Sequence, residues 1–101
     1  MKYRLFIDDE RFPVFPDWFV ARNSFQAIKA IELYGLPIEI AFDHDLGGTD
    51  TVMTFLNYLE NYLIDNDLTF PKGFVYSIHS QNPIGSENIK CRMENLLEYF
   101  G

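Results

Sequence analysis

Side chains that could do chemistry follow three apolar runs of this sequence. The runs YRLFI, IEIAF and FVYSI lead into the polar segments 8–10 (DDE), 43–45 (DHD) and 79–82 (HSQN). Both histidines of the chain fall in these segments. Carboxylates and imidazoles bind metals and transfer protons, although turn chemistry alone also selects Asp and Asn at strand ends. The occurrence of all three segments together favours a functional site.

The apolar runs themselves predict the elements that would position these groups. Residues 3–7, 38–42 and 74–78 are short, β-branched or aromatic and bounded by turn formers, so we predict strands there, with a less regular strand at 19–22. An amphipathic stripe over 52–63 predicts a helix capped by Thr49 or Asp50. Similar stripes predict a helix after Asn23 or Ser24, ending at Gly35, and a last helix capped by Ser86.

This order of elements predicts an α/β fold with a mostly parallel sheet. Pro13 and Pro16 lie within residues 9–17, so the first crossover is predicted to be a loop or a single turn rather than a full helix. Right-handed crossovers then place the first strand inside the sheet. We expect a single domain over 1–101 with a small flavodoxin- or receiver-like three-layer fold, a four-stranded sheet in the order 2-1-3-4 and about three helices.

In such a sheet, ligands bind outside the carboxyl ends of the strands, where all three polar segments would meet. Converging carboxylates repel one another unless some are protonated or a cation lies among them. We therefore predict a divalent metal, Mg²⁺ or Mn²⁺ by preference, and Fe²⁺ or Zn²⁺ if His44 or His79 is itself a ligand. The candidate metal ligands are Asp8, Asp9, Asp43 and Asp45.

A metal in this position would also admit a phosphate to an acidic protein. Five side chains are candidates for binding that phosphate: Arg11, Arg22, Ser80, Asn82 and Ser86. The start of the last helix is one candidate cradle, because free backbone N–H groups bind anions there. The same Asn-Pro and Ser residues also make an ordinary helix entry, and both arginines are equally typical of a solvated surface.

Three residues are candidates for the catalytic chemistry: His79, His44 and Asp43. A histidine beside carboxylates can act as a general acid or base, and either imidazole is open to that role. Phe12, Phe15 and Trp18 lie in or beside the first loop. They could stack on a base, but aromatic residues at this density favour core packing.

The formal net charge of −7 argues against general binding of double-stranded nucleic acid or of anionic membranes. A single cysteine, Cys91, excludes an internal disulfide and a Cys-based zinc site. No apolar stretch approaches the ~18 residues of a membrane span, and the first residues do not form a signal-peptide core. We expect a cytoplasmic protein.

The quoted residues resemble a known family, the cyclic-phosphate-processing receiver-like domains, which are small proteins of bacteria and phages. The resemblance is carried by LFIDDERFP from Leu5, by Trp18 followed by VAR, by FDHDLGG from Phe42 and by HSQNPIG from His79. It implies a receiver-like fold, and host cytoplasm as the location if a phage encodes the chain. The active centre that it implies comprises Asp8, Asp9, Arg11, Asp43, His44, Asp45, His79, Ser80 and Asn82.

Three functions are compatible with these residues. The leading hypothesis is a metal-dependent hydrolase that opens a 2′,3′-cyclic phosphate of an RNA end or a cyclic nucleotide, with His79 or His44 protonating the leaving ribose oxygen. The second is a signalling receiver that accepts a phosphoryl group on Asp43, although ordinary receivers also use a lysine after a fifth strand. The third is a non-catalytic binder of a cyclic nucleotide, a nucleic-acid end or a host protein.

Overall fold

The computed structural model describes residues 2–101 and contains four strands and three helices. The elements, in chain order, are β1 (Arg4–Ile7), β2 (Trp18–Ala21), α1 (Ser24–Tyr34), β3 (Glu39–Phe42), α2 (Val52–Asp65), β4 (Val75–Ile78) and α3 (Pro83–Phe100). All strand pairs are parallel, and the sheet order is β2-β1-β3-β4. The predicted receiver-like α/β fold, its strand order and its three helices are therefore confirmed.

Side chains of the two central strands point alternately to the two faces of the sheet, and those on one face form the core. Leu5 and Ile7 of β1 lie beside Ile40 and Phe42 of β3 in the parallel register, and all four side chains are fully buried. Because side chains two apart in a strand share a face, these four form one apolar surface of the sheet. Residues of all three helices join the same cluster. Complete burial of each such side chain contributes about 1.5–3 kcal/mol.

The three helices cover only one face of the sheet. α1 packs against α2, and α2 packs against α3, so the helices form one layer. The opposite face carries Phe6 and Ala41, which are buried but lie outside the helix-facing core. They line a groove together with residues of the loop 8–17, which joins β1 to β2. The layering thus differs from a full three-layer fold, because a right-handed β1–β2 crossover must run over this face and the prolines of the loop prevent a helix there.

Helix starts differ from prediction at two places. α1 is capped by Asn23, as predicted, whose side chain accepts the N–H of Gln26 at 2.8 Å. The N-cap of α2 is Thr51, so the prediction of Thr49 or Asp50 is wrong. Asp50 instead accepts hydrogen bonds from the backbone N–H and hydroxyl of Ser24, so it anchors the start of α1.

The last helix starts four residues earlier than predicted. Its N-cap is Asn82, whose Oδ1 accepts the N–H of Gly85 at 2.9 Å, and Pro83 occupies its first position. The prediction of Ser86 as the cap is wrong because Asn followed by Pro already supplies both a cap and a preset first turn. None of the helices within residues 2–101 combines the length and the apolar character that crossing a membrane needs.

Tyr3 connects the beginning of β1 to the end of α1. Its side chain is buried, and its hydroxyl donates a 2.6 Å hydrogen bond to the carbonyl oxygen of Gly35. We expect Tyr3→Phe to lower the free energy of unfolding by about 1 kcal/mol, because it leaves that carbonyl without its donor. Urea denaturation measures the change. Tyr99→Phe is the matched control, since Tyr99 is 84% exposed, and an equal loss in both variants would contradict this role.

Candidate active site

The carboxylate of Asp8 lies at the carboxyl end of the central strand β1 and has no solvent exposure. Its Oδ1 accepts the backbone N–H groups of Glu10 at 2.9 Å and Arg11 at 2.8 Å. Its Oδ2 lies 3.0 Å from Nε2 of His79. Burial disfavours the charged form, but the hydrogen bonds from Arg11 and Glu10, together with His79, outweigh it and hold the pKa of Asp8 below its ordinary value. Asp8 is therefore an ionised, buried carboxylate.

His79 is held on two sides at the end of β4. Nε2 donates to the ionised Asp8, and the imidazole stacks on the ring of Phe6 with a centroid distance of 4.8 Å and an interplanar angle of 6°. The side chain is 25% exposed. A carboxylate on one ring nitrogen fixes the tautomer and leaves the other nitrogen for proton transfer. Nδ1 is therefore the ring nitrogen of His79 that can exchange a proton with a ligand.

Three carboxylates converge at this point, and Asp8 is one of them. One oxygen from each of Asp8, Asp9 and Asp43 lies within 4.8 Å of the other two. Asp43 is 8% exposed, and its Oδ1 accepts the N–H of His44 at 2.8 Å. Burial and the neighbouring charge of Asp8 raise the pKa of Asp43 above its ordinary value. An all-oxygen donor set of this kind fits a hard divalent cation such as Mg²⁺ or Mn²⁺.

The carboxylates open onto a cleft of about 320 Å³. We call it the acidic cleft, and its lining residues are Asp9, Glu10, Arg11, Asp43, Asp45, Ser80, Gln81 and Asn82. All three polar segments contribute to this lining. The prediction that they meet at one edge of the sheet is therefore realised in the structure.

The loop after β3 depends on its glycines. Gly47 and Gly48 have φ values of +93° and +57°, a region that side-chain-bearing residues rarely adopt. The turn is closed by a hydrogen bond from the N–H of Asp50 to the carbonyl oxygen of Gly47 at 3.0 Å. This turn returns the chain to α2 and leaves the 43–45 segment at the cleft.

His44 occupies a more enclosed position than His79. Its side chain is 12% exposed, and its Nδ1 lies 3.1 Å from Oδ1 of Asp45. Its ring lies directly against Gly85 in the first turn of α3, where a Cβ atom would come within 2.4 Å of the His44 Cγ. His44 therefore joins the loop after β3 to the start of α3.

Asp45 lies at the rim of the acidic cleft, outside the three-carboxylate cluster. Its side chain is 63% exposed, and it accepts hydrogen bonds from His44 and from Nδ2 of Asn82 at 3.3 Å. These hydrogen bonds hold the pKa of Asp45 below its ordinary value. Asn82 thus caps α3 with one side-chain atom and holds Asp45 with the other, while its own N–H donates to Oγ of Ser80 at 3.1 Å.

The two candidate arginines have different roles. Nη1 of Arg11 donates to the carbonyl oxygen of His79 at 2.9 Å and lies 3.6 Å from Oδ2 of Asp8, and the side chain is 41% exposed at the cleft. Arg22 does not line the cleft. Its Nη1 donates to the carbonyl oxygens of Asp8 and Arg11, so it organises the backbone of the loop 8–17.

The first turn of α3 offers few donors to an anion. Pro83 has no N–H, Gly85 donates to the Asn82 side chain, and Ser86 donates its N–H to the Asn82 carbonyl oxygen. Ser86 lies one turn inside the helix, where its hydroxyl contacts the Ser80 carbonyl oxygen at 3.4 Å. The predicted anion cradle at a helix start capped by Ser86 is therefore not formed as expected. Of the five predicted phosphate-binding side chains, Arg11, Ser80 and Asn82 line the cleft.

Sequence reasoning missed the neighbours that orient the two histidines. Phe6 stacks on His79 and Gly85 admits His44, yet neither is a polar residue. For Phe6 a signal did exist, because it lies two residues before Asp8 and so shares its face of the strand. Nothing local in the sequence marks Gly85 as a contact of His44.

Gly85→Ala tests this contact. We expect the free energy of unfolding to fall by about 1–3 kcal/mol, because the added methyl group overlaps the His44 ring. Chemical denaturation of the single variant and of the pair His44→Ala with Gly85→Ala measures it. Removing the ring should make the second substitution nearly neutral, and a Gly85→Ala protein as stable as the wild type would contradict the packing described.

Comparison with known proteins agrees with this geometry. A family model described as the cyclic-phosphate processing receiver domain matches residues 3–95, which include every residue of the acidic cleft. Neither the curated proteins nor the solved structures gave a significant match. Because the match spans nearly the whole chain, this protein belongs to the family of cyclic-phosphate processing receiver domains.

Proposed function

We propose that this protein is a metal-dependent phosphoesterase that opens 2′,3′-cyclic phosphates, either at RNA ends or in cyclic nucleotides. The observation that carries the proposal is the juxtaposition of the three-carboxylate cluster and the Asp8–His79 pair. Family membership associates the chain with cyclic-phosphate processing, and this juxtaposition supplies groups suited to hydrolysis.

Asp8, Asp9 and Asp43 would hold the cation. Among residues 2–101, the side chains close enough together to share a cation are these three carboxylates and include neither histidine, so the donor set is all oxygen. This favours Mg²⁺ or Mn²⁺ over Zn²⁺. A bound divalent cation would offset the carboxylate charge, attract the phosphate and lower the pKa of water.

The chain's own residues would complete the reaction. Water adds to phosphorus and releases a proton, and one bond from phosphorus to a ribose oxygen breaks. That oxygen would take a proton from Nδ1 of a His79 ring that carries protons on both nitrogens, and the proton released by the water would restore it. The product is a phosphate monoester on the ribose. Asp8 holds the imidazole in orientation through Nε2. Arg11 has five N–H donors, of which one is used on the His79 carbonyl oxygen, so the others can bind phosphate oxygens with Ser80 and Asn82.

Two observations favour hydrolysis over phosphoryl transfer to Asp43. Asp43 is only 8% exposed and its Oδ1 is already hydrogen-bonded, which leaves little room for attack on a phosphodonor. A positioned imidazole beside the cluster also serves a leaving ribose oxygen directly. An increase in intact mass after incubation with a small phosphodonor, abolished by Asp43→Ala, would favour the receiver function instead.

Asp43→Asn tests the carboxylate cluster. The raised pKa of Asp43 means that its ionised form destabilises the folded protein, so without metal the variant should melt at a higher temperature than the wild type at neutral pH. The difference should close as the pH falls through the folded-state pKa of Asp43 towards the ordinary carboxyl range, where both side chains are neutral. Thermal melting in EDTA across pH measures it.

The same melts with Mn²⁺ test metal binding. At a concentration 100-fold above its Kd, the ion should stabilise the wild type by about 2.7 kcal/mol and the Asp43→Asn protein far less. Asp65→Asn is the matched control, because Asp65 is an exposed carboxylate at the far end of α2 and should keep the wild-type response. Equal stabilisation of all three proteins would contradict a metal site at the cluster.

His79→Asn tests the proton donor. With Mn²⁺ and adenosine 2′,3′-cyclic phosphate as substrate, we expect kcat to fall by about 10²–10⁴-fold, the usual contribution of a general acid or base. His44→Asn is the matched comparison and should lose far less, because the His44 ring is enclosed by Gly85. Product formation is followed chromatographically. Equal losses in both variants would contradict the assignment to His79, and absence of turnover by the wild type would contradict hydrolysis.

A further inference from the structure

The loop 8–17 exposes apolar side chains at a density that surface chemistry alone does not explain. Phe12 is 77% exposed, Val14 93% and Phe15 67%. The expectation that the aromatic residues of this loop pack into the core is therefore wrong for both phenylalanines. Concentrated apolar exposure of this kind marks a binding surface more often than a solvated loop.

These side chains border a groove of about 390 Å³ on the face of the sheet that carries no helix. We call it the aromatic groove, and the residues that matter here are Phe6, Phe12, Phe15, Trp18, Ala41 and His79. Its walls are ordered by aromatic contacts. The ring of Trp18 meets that of Phe6 edge-on at 6.0 Å, and the guanidinium of Arg22 lies 4.4 Å from the centre of the Phe12 ring.

The aromatic groove adjoins the acidic cleft. Arg11 lines both, and His79 lines the groove while its Nε2 contacts Asp8. The groove wall therefore includes the imidazole that would protonate a ribose oxygen. A ligand with its phosphate at the carboxylate cluster would extend its next group along this surface.

The chemistry of the groove differs sharply from that of the cleft. The chain carries a net charge of −7, yet Arg11 is the charged side chain of the groove lining, Ser77 and His79 are its other polar side chains, and no carboxylate belongs to it within residues 2–101. Flat aromatic walls bind flat π systems by stacking, as proteins do with exposed nucleobases. Its volume suits a group of that size rather than a folded partner.

We propose that the aromatic groove binds the nucleobase of the substrate whose cyclic phosphate is held in the acidic cleft. This inference rests on the proposed function and adds to it a binding surface for the base of the substrate. The substrate is a nucleoside 2′,3′-cyclic phosphate, free or at the end of an RNA, and a cyclic phosphate of a bare sugar is a poor ligand. Every nucleobase can stack on an aromatic ring, so the groove favours ligands that carry a base and discriminates little among the four bases.

Trp18 provides a direct signal, because it is the single tryptophan of the chain and lines the groove. Its fluorescence is titrated with adenosine 2′,3′-cyclic phosphate, with an RNA trinucleotide ending in a cyclic phosphate and with ribose 2′,3′-cyclic phosphate. We expect the two base-bearing ligands to quench Trp18. The ribose compound should bind about 5- to 150-fold more weakly, the range that one stacked base supplies.

Phe12→Ala and Phe15→Ala identify the surface. Each should weaken the base-bearing ligands several-fold to about 150-fold and leave the ribose compound unchanged. Phe25→Ala is the matched control, because Phe25 is a 65% exposed phenylalanine on α1 outside the groove, and it should change neither. Since the replaced side chains are exposed, the variants should retain the wild-type circular dichroism.

The outcomes separate this inference from the proposed function. Base-dependent binding that is lost in Phe12→Ala upholds the groove even if no ligand is hydrolysed. Equal binding and equal turnover of the nucleotide and the ribose compound, unaffected by Phe12→Ala, would overturn the groove while hydrolysis stands. A change of oligomeric state in Phe12→Ala or Phe15→Ala on sedimentation, with unchanged nucleotide binding, would also overturn it and identify a self-association surface instead.

Discussion

The buried carboxylate of Asp8 is the group on which the geometry of the site depends. A charge without solvent contact is stable only if hydrogen bonds replace its hydration. Asp8 receives them from the backbone of the loop 8–17 and from His79 at the end of β4. Its own backbone N–H and carbonyl oxygen bond to Ala21 and Arg22 at the end of β2. One residue thus holds three strand ends in fixed relation.

A second buried carboxylate beside Asp8 creates an electrostatic imbalance. Asp8 is stabilised in its charged form, whereas burial and the charge of Asp8 oppose ionisation of Asp43. Among residues 2–101, the hydrogen bond from the N–H of His44, together with His79 and Arg11, reduces these two effects without cancelling them. A cation would do so, and it would also explain how a protein with a net charge of −7 could admit a phosphate. The stability of the fold and the proposed chemistry are therefore linked through the same pair of residues.

The two faces of the sheet differ in what packs against them. Three helices cover one face and form the main core cluster together with the strands, so that face carries the stability of the fold. The other face is bordered by a loop that contains Pro13 and Pro16 and exposes Phe12 and Phe15. A helix in this position would have buried its apolar stripe against Phe6 and Ala41. The loop instead leaves a groove that shares Arg11 with the acidic cleft.

Much of the fold could be predicted from local patterns. The strand runs, the amphipathic stripes and the two prolines of the first crossover are local signals, and right-handed connections convert their order into the sheet order β2-β1-β3-β4. The convergence of the three polar segments follows from that order, because carboxyl ends of parallel strands meet at one edge. Helix caps were harder to predict, since a residue such as Asp50 can bond to the start of a helix distant in sequence instead of capping the one that follows it.

The sequence by itself determined which elements form, in what order, and which polar residues share an edge, because hydrophobic periodicity and chain connectivity are local or topological properties. Only the tertiary structure decided which of two similar residues takes each role. His79 is oriented by Asp8 and Phe6, whereas His44 is enclosed by Gly85, and Arg11 faces the cleft whereas Arg22 supports a loop. These assignments depend on contacts between residues far apart in the chain, whose distances are set by how the layers pack together.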